Sequence, residues 1–232
     1  MAKTEYERYI RTEELFALLR DKRALAAHDE LLFQVTHQTA ELWMQVAIHD
    51  VEGGAKLLDQ DLIARATELF SRAAMIEQHL ARQLEILEKM PPMEYVQIRR
   101  TLGRGSGQDS PGFNEMLKIG DIVWPHVVAL FERKKAKLID VLHAPDLHHE
   151  LHALLRSLFE LDEWFRTWRF AHFRLVERQI GAFVESLKGV PAEQLVHGMR
   201  EHLMPDLWAA VNDLTRMVNT YDPSTKPAGS HG

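Results

Sequence analysis

A single histidine stands among aromatic side chains in the run EWFRTWRFAHFRLVERQIG, residues 163–181. Helical spacing places Trp168 and His172 on one face, which continues to Leu175 or Val176 and to Gln179. An imidazole on such an apolar face needs a hydrogen-bond partner or a metal, because burying it unpaired costs about 1–3 kcal/mol. His172 is therefore a candidate ligand, and a hydrogen-bonded core histidine is the alternative. The arginines of the run are expected on other faces, where they meet water, acidic partners or an anionic ligand: Arg166, Arg169, Arg174 and Arg178.

A second histidine lies in the run HDELLFQVTHQTAELWMQVAIHD, residues 28–50. Phe33 and His37 are four residues apart, so a helix points both side chains in the same direction, and they can form one wall of a pocket. Structural roles are expected for Thr39, Glu41 and Trp43. Taken alone, His37 also fits a hydrogen-bonded core residue.

A phenol and a guanidinium stand together in MPPMEYVQIRRTLGRGSG, residues 90–107. Tyr95 and Arg99 are again four residues apart, which suits the recognition of a carboxylate. The glycines at 103, 105 and 107 follow without a preceding strand and lack the spacing of a phosphate-binding loop. A loop that closes over a pocket is the functional interpretation, and a helix end is the structural one.

The run HHELH, residues 148–152, places two histidines on one helix face. It lacks one residue of the HExxH spacing that binds zinc, because His149, Glu150 and His152 form H-E-x-H. We interpret this run as a solvated helix face.

Composition limits the classes of function. The 232 residues carry a formal charge of −6, which gives no general attraction to phosphate backbones, and we expect no nucleic-acid partner. There is no cysteine, which excludes disulfides and thiolate metal sites. The first residues are charged, and no stretch approaches the roughly 18 apolar residues of a membrane span. We therefore expect a soluble cytoplasmic protein with no membrane partner.

Helical periodicity dominates the chain and predicts an all-α fold. Helices are expected at about 12–22, 29–50, 59–88, 93–102, 112–141, 146–186 and 192–218, with breaks that include Gly53-Gly54 and Pro145. We predict one helical domain over 1–221 and a disordered tail over 222–232, which lacks apolar anchors. Antiparallel helices joined in this way form a bundle that can hold a cofactor between facing helices.

These motifs together resemble the tryptophan 2,3-dioxygenase family and the wider superfamily of histidine-ligated haem-dependent aromatic oxygenases. HDELLFQVTHQTAELW, MEYVQIRRTLG with the following SerGly, and LDEWFRTWRFAHFRLVERQIG look like family motifs in the family order. The resemblance covers roughly residues 6–208. It implies a helical bundle that encloses haem b, with an aromatic substrate and O2 as partners.

The resemblance also implies roles for individual residues. His172 matches the proximal ligand of the haem iron, and His37 matches the distal histidine beside oxygen and the indole nitrogen. The other matched positions are Trp168 and Val176 along the haem face of the His172 helix, Phe33 against the indole, Tyr95 and Arg99 at the substrate carboxylate, and Ser106 and Gly107 beside haem and substrate. The amino-terminal Tyr6, Tyr9 and Ile10 resemble the segment that covers the pocket of a neighbouring subunit, which implies a tetramer or a dimer.

One segment departs from the family pattern. Where the family has a glycine-rich loop whose threonine meets the substrate ammonium, this chain has AFVESLKGVPAEQL, residues 182–195, and the similarity returns at HLMPDLW, residues 202–208. We expect dioxygenation of tryptophan or of an indole-bearing carboxylate across C2–C3. Mono-oxygenation of a tryptophan or tyrosine derivative, a haem-binding or sensing protein without turnover, and a helical interaction module without haem remain alternatives.

Overall fold

A computed structural model describes residues 3–103, 105, 107–181 and 200–218. Within these ranges the chain is helical and contains no strand. The helices are α1 (Glu5–Ile10), α2 (Thr12–Ala17), α3 (Glu30–Asp59), α4 (Ile63–Leu87), α5 (Pro92–Thr101), α6 (Pro111–Met116), α7 (Ile119–Lys134), α8 (Leu138–His143), α9 (His149–Ile180) and α10 (Pro205–Val218). Short 3-10 turns lie at Lys22–Ala24, Gly107–Asp109 and Pro145–Leu147. The predicted all-α class is confirmed.

The core is built by the three long helices, with α4 packed against both α3 and α9. On α3 the buried side chains recur at helical spacing, at Met44, Ala47, Val51, Ala55 and Leu58, and they form the apolar stripe by which α3 packs into the core. The two helices run antiparallel, because Asp50 binds Arg72 while Thr39, farther back on α3, binds Gln83, farther on along α4. Near the C-terminal end of α9, Gln179 donates to the carbonyl oxygen of Met90, which follows the end of α4, over 2.9 Å.

The predicted break at Gly53-Gly54 is wrong, because α3 continues through both glycines to Asp59. A Cβ atom at Gly54 would lie 2.5 Å from the ring of Phe70 on α4. Glycine here therefore allows close approach of two helices instead of ending one.

The predicted helix over 112–141 is also wrong as a single element, since it divides into α6, α7 and α8. Lys135 ends α7 in the left-handed region at φ 52°, a conformation that stops a helix. The predicted helix over 12–22 is shorter, ending at Ala17, and α4 begins at Ile63 instead of 59. The helix predicted from 146 begins at His149. Residues 182–195 and the tail 222–232 lie outside the described residues.

No helix in the described part of the chain has the length and apolarity needed to cross a membrane.

Glu77, in the middle of α4, is fully buried, and neither of its carboxyl oxygens has a hydrogen-bond partner within the described chain. Burial raises its pKa from the ordinary 4.5 to about 8. Above pH 4.5 the unfolded chain releases this proton while the folded chain keeps it, so stability is lost as the pH rises towards 8.

We expect Glu77→Leu to raise the free energy of unfolding, by about 2–4 kcal/mol at pH 8, because each pH unit of this window costs about 1.4 kcal/mol. Denaturant unfolding of both proteins at pH 5 and pH 8 measures the difference. Exposed Glu85 on the same helix gives the control, since Glu85→Leu should show no gain that grows with pH. A gain of equal size at both pH values would contradict a neutral buried acid.

Candidate active site

The His172 ring lies on α9 and is held by aromatic neighbours. Trp168, one turn earlier, stacks on it with centroids 5.4 Å apart and planes only 8° from parallel. Phe113 of α6 packs on Trp168 in turn, at 5.4 Å. The spacing of i and i+4 creates the first contact within one helix, while tertiary packing supplies the second. Together they fix the orientation of the imidazole.

The electrostatic setting keeps His172 neutral. Burial lowers its pKa from 6.5 to about 4, and the nearby His37 acts in the same direction. Among the described residues, no protein group forms a hydrogen bond to this ring. The imidazole is therefore uncharged at neutral pH and retains a nitrogen lone pair that can coordinate a metal.

His37, on α3, has a defined tautomer. Its Nδ1 lies 2.7 Å from the Phe33 carbonyl oxygen, and a carbonyl oxygen only accepts, so Nδ1–H is the donor. In the neutral ring Nε2 is then the acceptor. Burial lowers the pKa of His37, although the hydrogen bond to Phe33 and the Glu41 carboxylate act in the opposite direction. Neutral His37 therefore presents a hydrogen-bond acceptor at physiological pH.

His37 and His172 lie near each other, and neither is fully enclosed by the described protein. The His37 side chain is solvent-accessible, yet the surrounding protein desolvates it enough to lower its pKa. His172 is half-buried, and the electrostatic effect of His37 on its pKa shows that the two rings lie near each other. We call the space between the two rings the recess.

Aromatic and cationic groups from α5 complete one wall. The Tyr95 ring lies 5.9 Å from Phe33, which itself lies 4.0 Å from the His37 ring. Burial raises the pKa of Tyr95, while the charge of Arg99 lowers it, so the phenol keeps its proton and the guanidinium lies nearby. The i, i+4 pairs predicted on α3 and α5 therefore meet at one site.

Gly107 approaches the site from the loop after α5. A Cβ at this position would lie 4.0 Å from both Cε1 and Nε2 of His172, so a larger side chain would obstruct the nitrogen edge of the ring. Ser106 lies outside the described residues. Val176 is half-buried one turn beyond His172.

The amino-terminal residues that the resemblance assigned to a neighbouring pocket lie on the surface of the chain. Tyr6, Tyr9 and Ile10 lie on α1, with exposed fractions of 70%, 87% and 40%. Helix α1 contains no buried residue. Within one chain these three side chains are therefore not part of the core.

The HHELH run lies at the start of α9, with His149 exposed and His148 and His152 half-buried. No group of three or more potential metal-ligating side chains exists within the described ranges. The interpretation of this run as a helix face fits its exposure.

Sequence reasoning gave Glu41 only a structural role. In the structure Glu41 lies one turn after His37 and accepts hydrogen bonds from the Ser110 hydroxyl and from the Gly112 backbone N–H, the latter at 2.8 Å. Its spacing of i+4 from His37 was the available signal. Phe113, which supports Trp168, carried no comparable sequence signal.

Fold and site together define an all-α protein whose recess lies between two histidine-bearing helices. The family model for tryptophan 2,3-dioxygenase matches residues 1–122, more than half of the chain. The chain belongs to the tryptophan 2,3-dioxygenase family, which is a family of oxygenases.

Curated relatives bearing the name tryptophan 2,3-dioxygenase match over most of their length. The Bacillus anthracis protein is 24% identical over 253 residues, covering 88% of this chain and 90% of the relative. The protein of Ruegeria sp. strain TM1040 is 29% identical over 240 residues, covering 81% and 85%. That of Bradyrhizobium diazoefficiens is 27% identical over 233 residues, covering 78% and 83%.

Proposed function

We propose that this protein is a haem-dependent dioxygenase that adds O2 across the indole C2–C3 bond of tryptophan or of a related indole-bearing carboxylate. The observation that carries the proposal is the recess in which neutral His172 and His37 lie together, next to Phe33, Tyr95 and Arg99. The family membership and the names of the relatives support the same reaction.

Haem b is the proposed cofactor, with His172 as the protein ligand of its iron. A lone neutral imidazole suits haem iron, because the porphyrin supplies four further nitrogen ligands, whereas a zinc ion needs three or four protein ligands. The side chains proposed to flank the haem are Trp168 and Val176. When bound, the haem supplies the iron that activates O2.

His37 is proposed to orient the indole. With Nδ1–H committed to the Phe33 carbonyl oxygen, Nε2 can accept a hydrogen bond from the indole N–H. The Phe33 ring lies beside it and offers an aromatic surface on which the indole packs. These two residues would hold the substrate ring in a single orientation, with Gly107 beside it. Ser106, which lies outside the described residues, is proposed as a further substrate contact.

Tyr95 and Arg99 are proposed to bind the substrate carboxylate. The protonated phenol can donate one hydrogen bond, and the planar guanidinium can donate two. The Tyr95 ring lies beside Phe33, and the charge of Arg99 acts on the Tyr95 phenol. A carboxylate held there would fix the distance of the indole from His37.

We expect Arg99→Leu to weaken binding of an indole acid by about 2–5 kcal/mol, since one partner of the ion pair is lost. Tyr95→Phe should cost less, about 1 kcal/mol, because a single hydrogen bond is removed. Titration followed by the haem absorption spectrum measures both. Indole without a carboxylate should bind all proteins equally, and equal losses for indole and the acid would assign Arg99 to the fold instead.

Recognition of the substrate amine depends on a segment in which this chain departs from the family. The segment 182–195 lacks the glycine-rich loop of the family, so we propose that amine recognition is weak and that a deaminated indole acid binds at least as tightly as L-tryptophan. Mono-oxygenation of a tryptophan or tyrosine derivative is the second candidate, favoured by the same departure. Product mass after incubation with haem, O2 and each substrate distinguishes two added oxygen atoms from one or none.

A non-catalytic haem-binding protein would show a Soret band without product. An interaction module without haem would show no Soret band after reconstitution. Either result would overturn the proposed dioxygenase.

We further propose a homo-oligomer, a tetramer or a dimer, in which Tyr6, Tyr9 and Ile10 of α1 cover the pocket of a neighbouring copy. Their exposure within one chain supports a contact outside it. Light scattering of the full chain and of Tyr9→Ser measures the assembly.

A further inference from the structure

Glu41 joins the His37 helix to the chain that runs beside His172. Its carboxylate accepts from the Ser110 hydroxyl and from the Gly112 N–H, two groups about 70 residues further along the chain. We call these two hydrogen bonds the Glu41 bridge. Both acceptor oxygens are used, so the carboxylate is held in one orientation.

At Gly112 the backbone of α6 lies close to α3. A Cβ there would lie 2.8 Å from a Glu41 carboxylate oxygen and 3.1 Å from the Met44 Cβ. A larger residue at this position would require the Glu41 carboxylate and the Met44 side chain to shift. The contact between α3 and α6 therefore involves the backbone of Gly112 as well as the side chain of Glu41.

The residues held by the bridge reach His172 by two routes. The Ser110 N–H donates to the Gly107 carbonyl oxygen over 3.2 Å, and Gly107 faces the nitrogen edge of His172. On the other side of Gly112, Phe113 packs on Trp168, which stacks on His172. A movement of residues 107–113 would therefore change the surroundings of His172 from two directions.

We propose that Glu41 is a positioning residue that holds residues 107–113 against α3 and thereby sets the width of the recess between His37 and His172. The consequence for substrate binding rests on the proposed function, whereas the positioning of the segment does not. Glu41 itself need not touch substrate or cofactor.

A matched control lies one turn further along α3. Gln45 donates to Glu115, near the other end of α6, over 2.9 Å. It connects the same two helices, but the acceptor of its hydrogen bond, Glu115, lies outside residues 107–113. If any link between α3 and α6 served equally well, Gln45→Ala would reproduce the effects of Glu41→Ala.

The first measurement is amide hydrogen exchange of the full chain. Glu41→Ala should speed exchange in residues 107–113 by about tenfold or more, because two donors lose their acceptor, and tenfold corresponds to about 1.4 kcal/mol. Exchange in α4 should stay unchanged. Glu41→Gln should restore most of the protection, since an amide can accept from Gly112 and donate to the Ser110 oxygen, and Gln45→Ala should leave the segment within about twofold of the original protein.

The second measurement is the steady-state turnover of tryptophan by the haem-loaded variants. Glu41→Ala should raise KM about tenfold or more, with a smaller change in kcat and an unchanged haem content, because the loosened segment must be ordered when substrate binds. Glu41→Gln should again recover most of the loss.

Unchanged exchange in Glu41→Ala, or equal effects of Gln45→Ala, would overturn the positioning role. Faster exchange with unaltered KM and kcat would also overturn it, since the width of the recess would not depend on the bridge. A chain that binds no haem and turns over no substrate would instead disprove the proposed function, and the exchange experiment would still decide the positioning of the segment. If Glu41→Ala does not fold, Glu41→Leu, which keeps the bulk of the side chain and still removes both hydrogen bonds, serves the same test.

Discussion

Replacing His172 with alanine is expected to abolish stoichiometric haem binding. The chain has no cysteine that could take over as a ligand, and burial keeps the His172 lone pair free by lowering its pKa to about 4. Loss of an outer-sphere partner costs up to about 100-fold in metal affinity, so loss of the ligand itself should cost more. Titration of the purified variant with haem, followed at the Soret band, measures the change.

His37→Ala provides the matched control for this prediction. It removes the other histidine of the recess and should leave haem binding within about threefold of the original protein, while turnover falls by about 100-fold or more. Loss of haem in the His37→Ala variant, together with an intact haem spectrum in the His172→Ala variant, would reverse the two assignments.

Asp162→Ala is expected to cause the largest loss of stability. Asp162 on α9 is fully buried and accepts hydrogen bonds from Trp208 Nε1 at 2.8 Å, Leu203 N–H at 3.2 Å and Met204 N–H at 3.3 Å. It thereby fixes the chain at the start of α10. Removing it leaves three donors without an acceptor, which should cost about 3–5 kcal/mol.

Thermal unfolding should show this loss as a decrease in Tm of about 10 °C, since about 1 kcal/mol corresponds to 2–4 °C for a chain of this size. Asp206→Ala is the control, because exposed Asp206 also accepts from a tryptophan, Trp124, at 3.0 Å, but water can replace it. A similar Tm for both variants would show that the buried carboxylate contributes no more than an exposed one.

The sequence by itself determined the features that depend on neighbours along one helix. The period of apolar residues is local, so it predicted the all-α class and the long helices α3, α4 and α9 to within a few residues at most ends. The pairs Phe33 with His37 and Trp168 with His172 followed from the i, i+4 spacing. Tyr95 and Arg99 were paired correctly on α5 for the same reason.

The tertiary structure decided which helix faces meet, and sequence patterns misjudged several of them. Arg169 was expected on a face that meets water, acidic partners or an anionic ligand. It is only 7% exposed, and its guanidinium donates to the Glu201 carbonyl oxygen. Gly54 was expected to break a helix, but it accommodates the Phe70 ring. In both cases a group distant in sequence changes the meaning of a local pattern.

The recess itself belongs to the tertiary structure. His37 and His172 lie on different helices, and the packing of α4 between α3 and α9, with α5 and α6 alongside, brings them to the same space. The acceptor for Ser110 and Gly112 is likewise a carboxylate on a distant helix. Helical period fixes the direction of a side chain relative to its own axis, but the partner it meets depends on how the axes cross and how closely glycines let them approach.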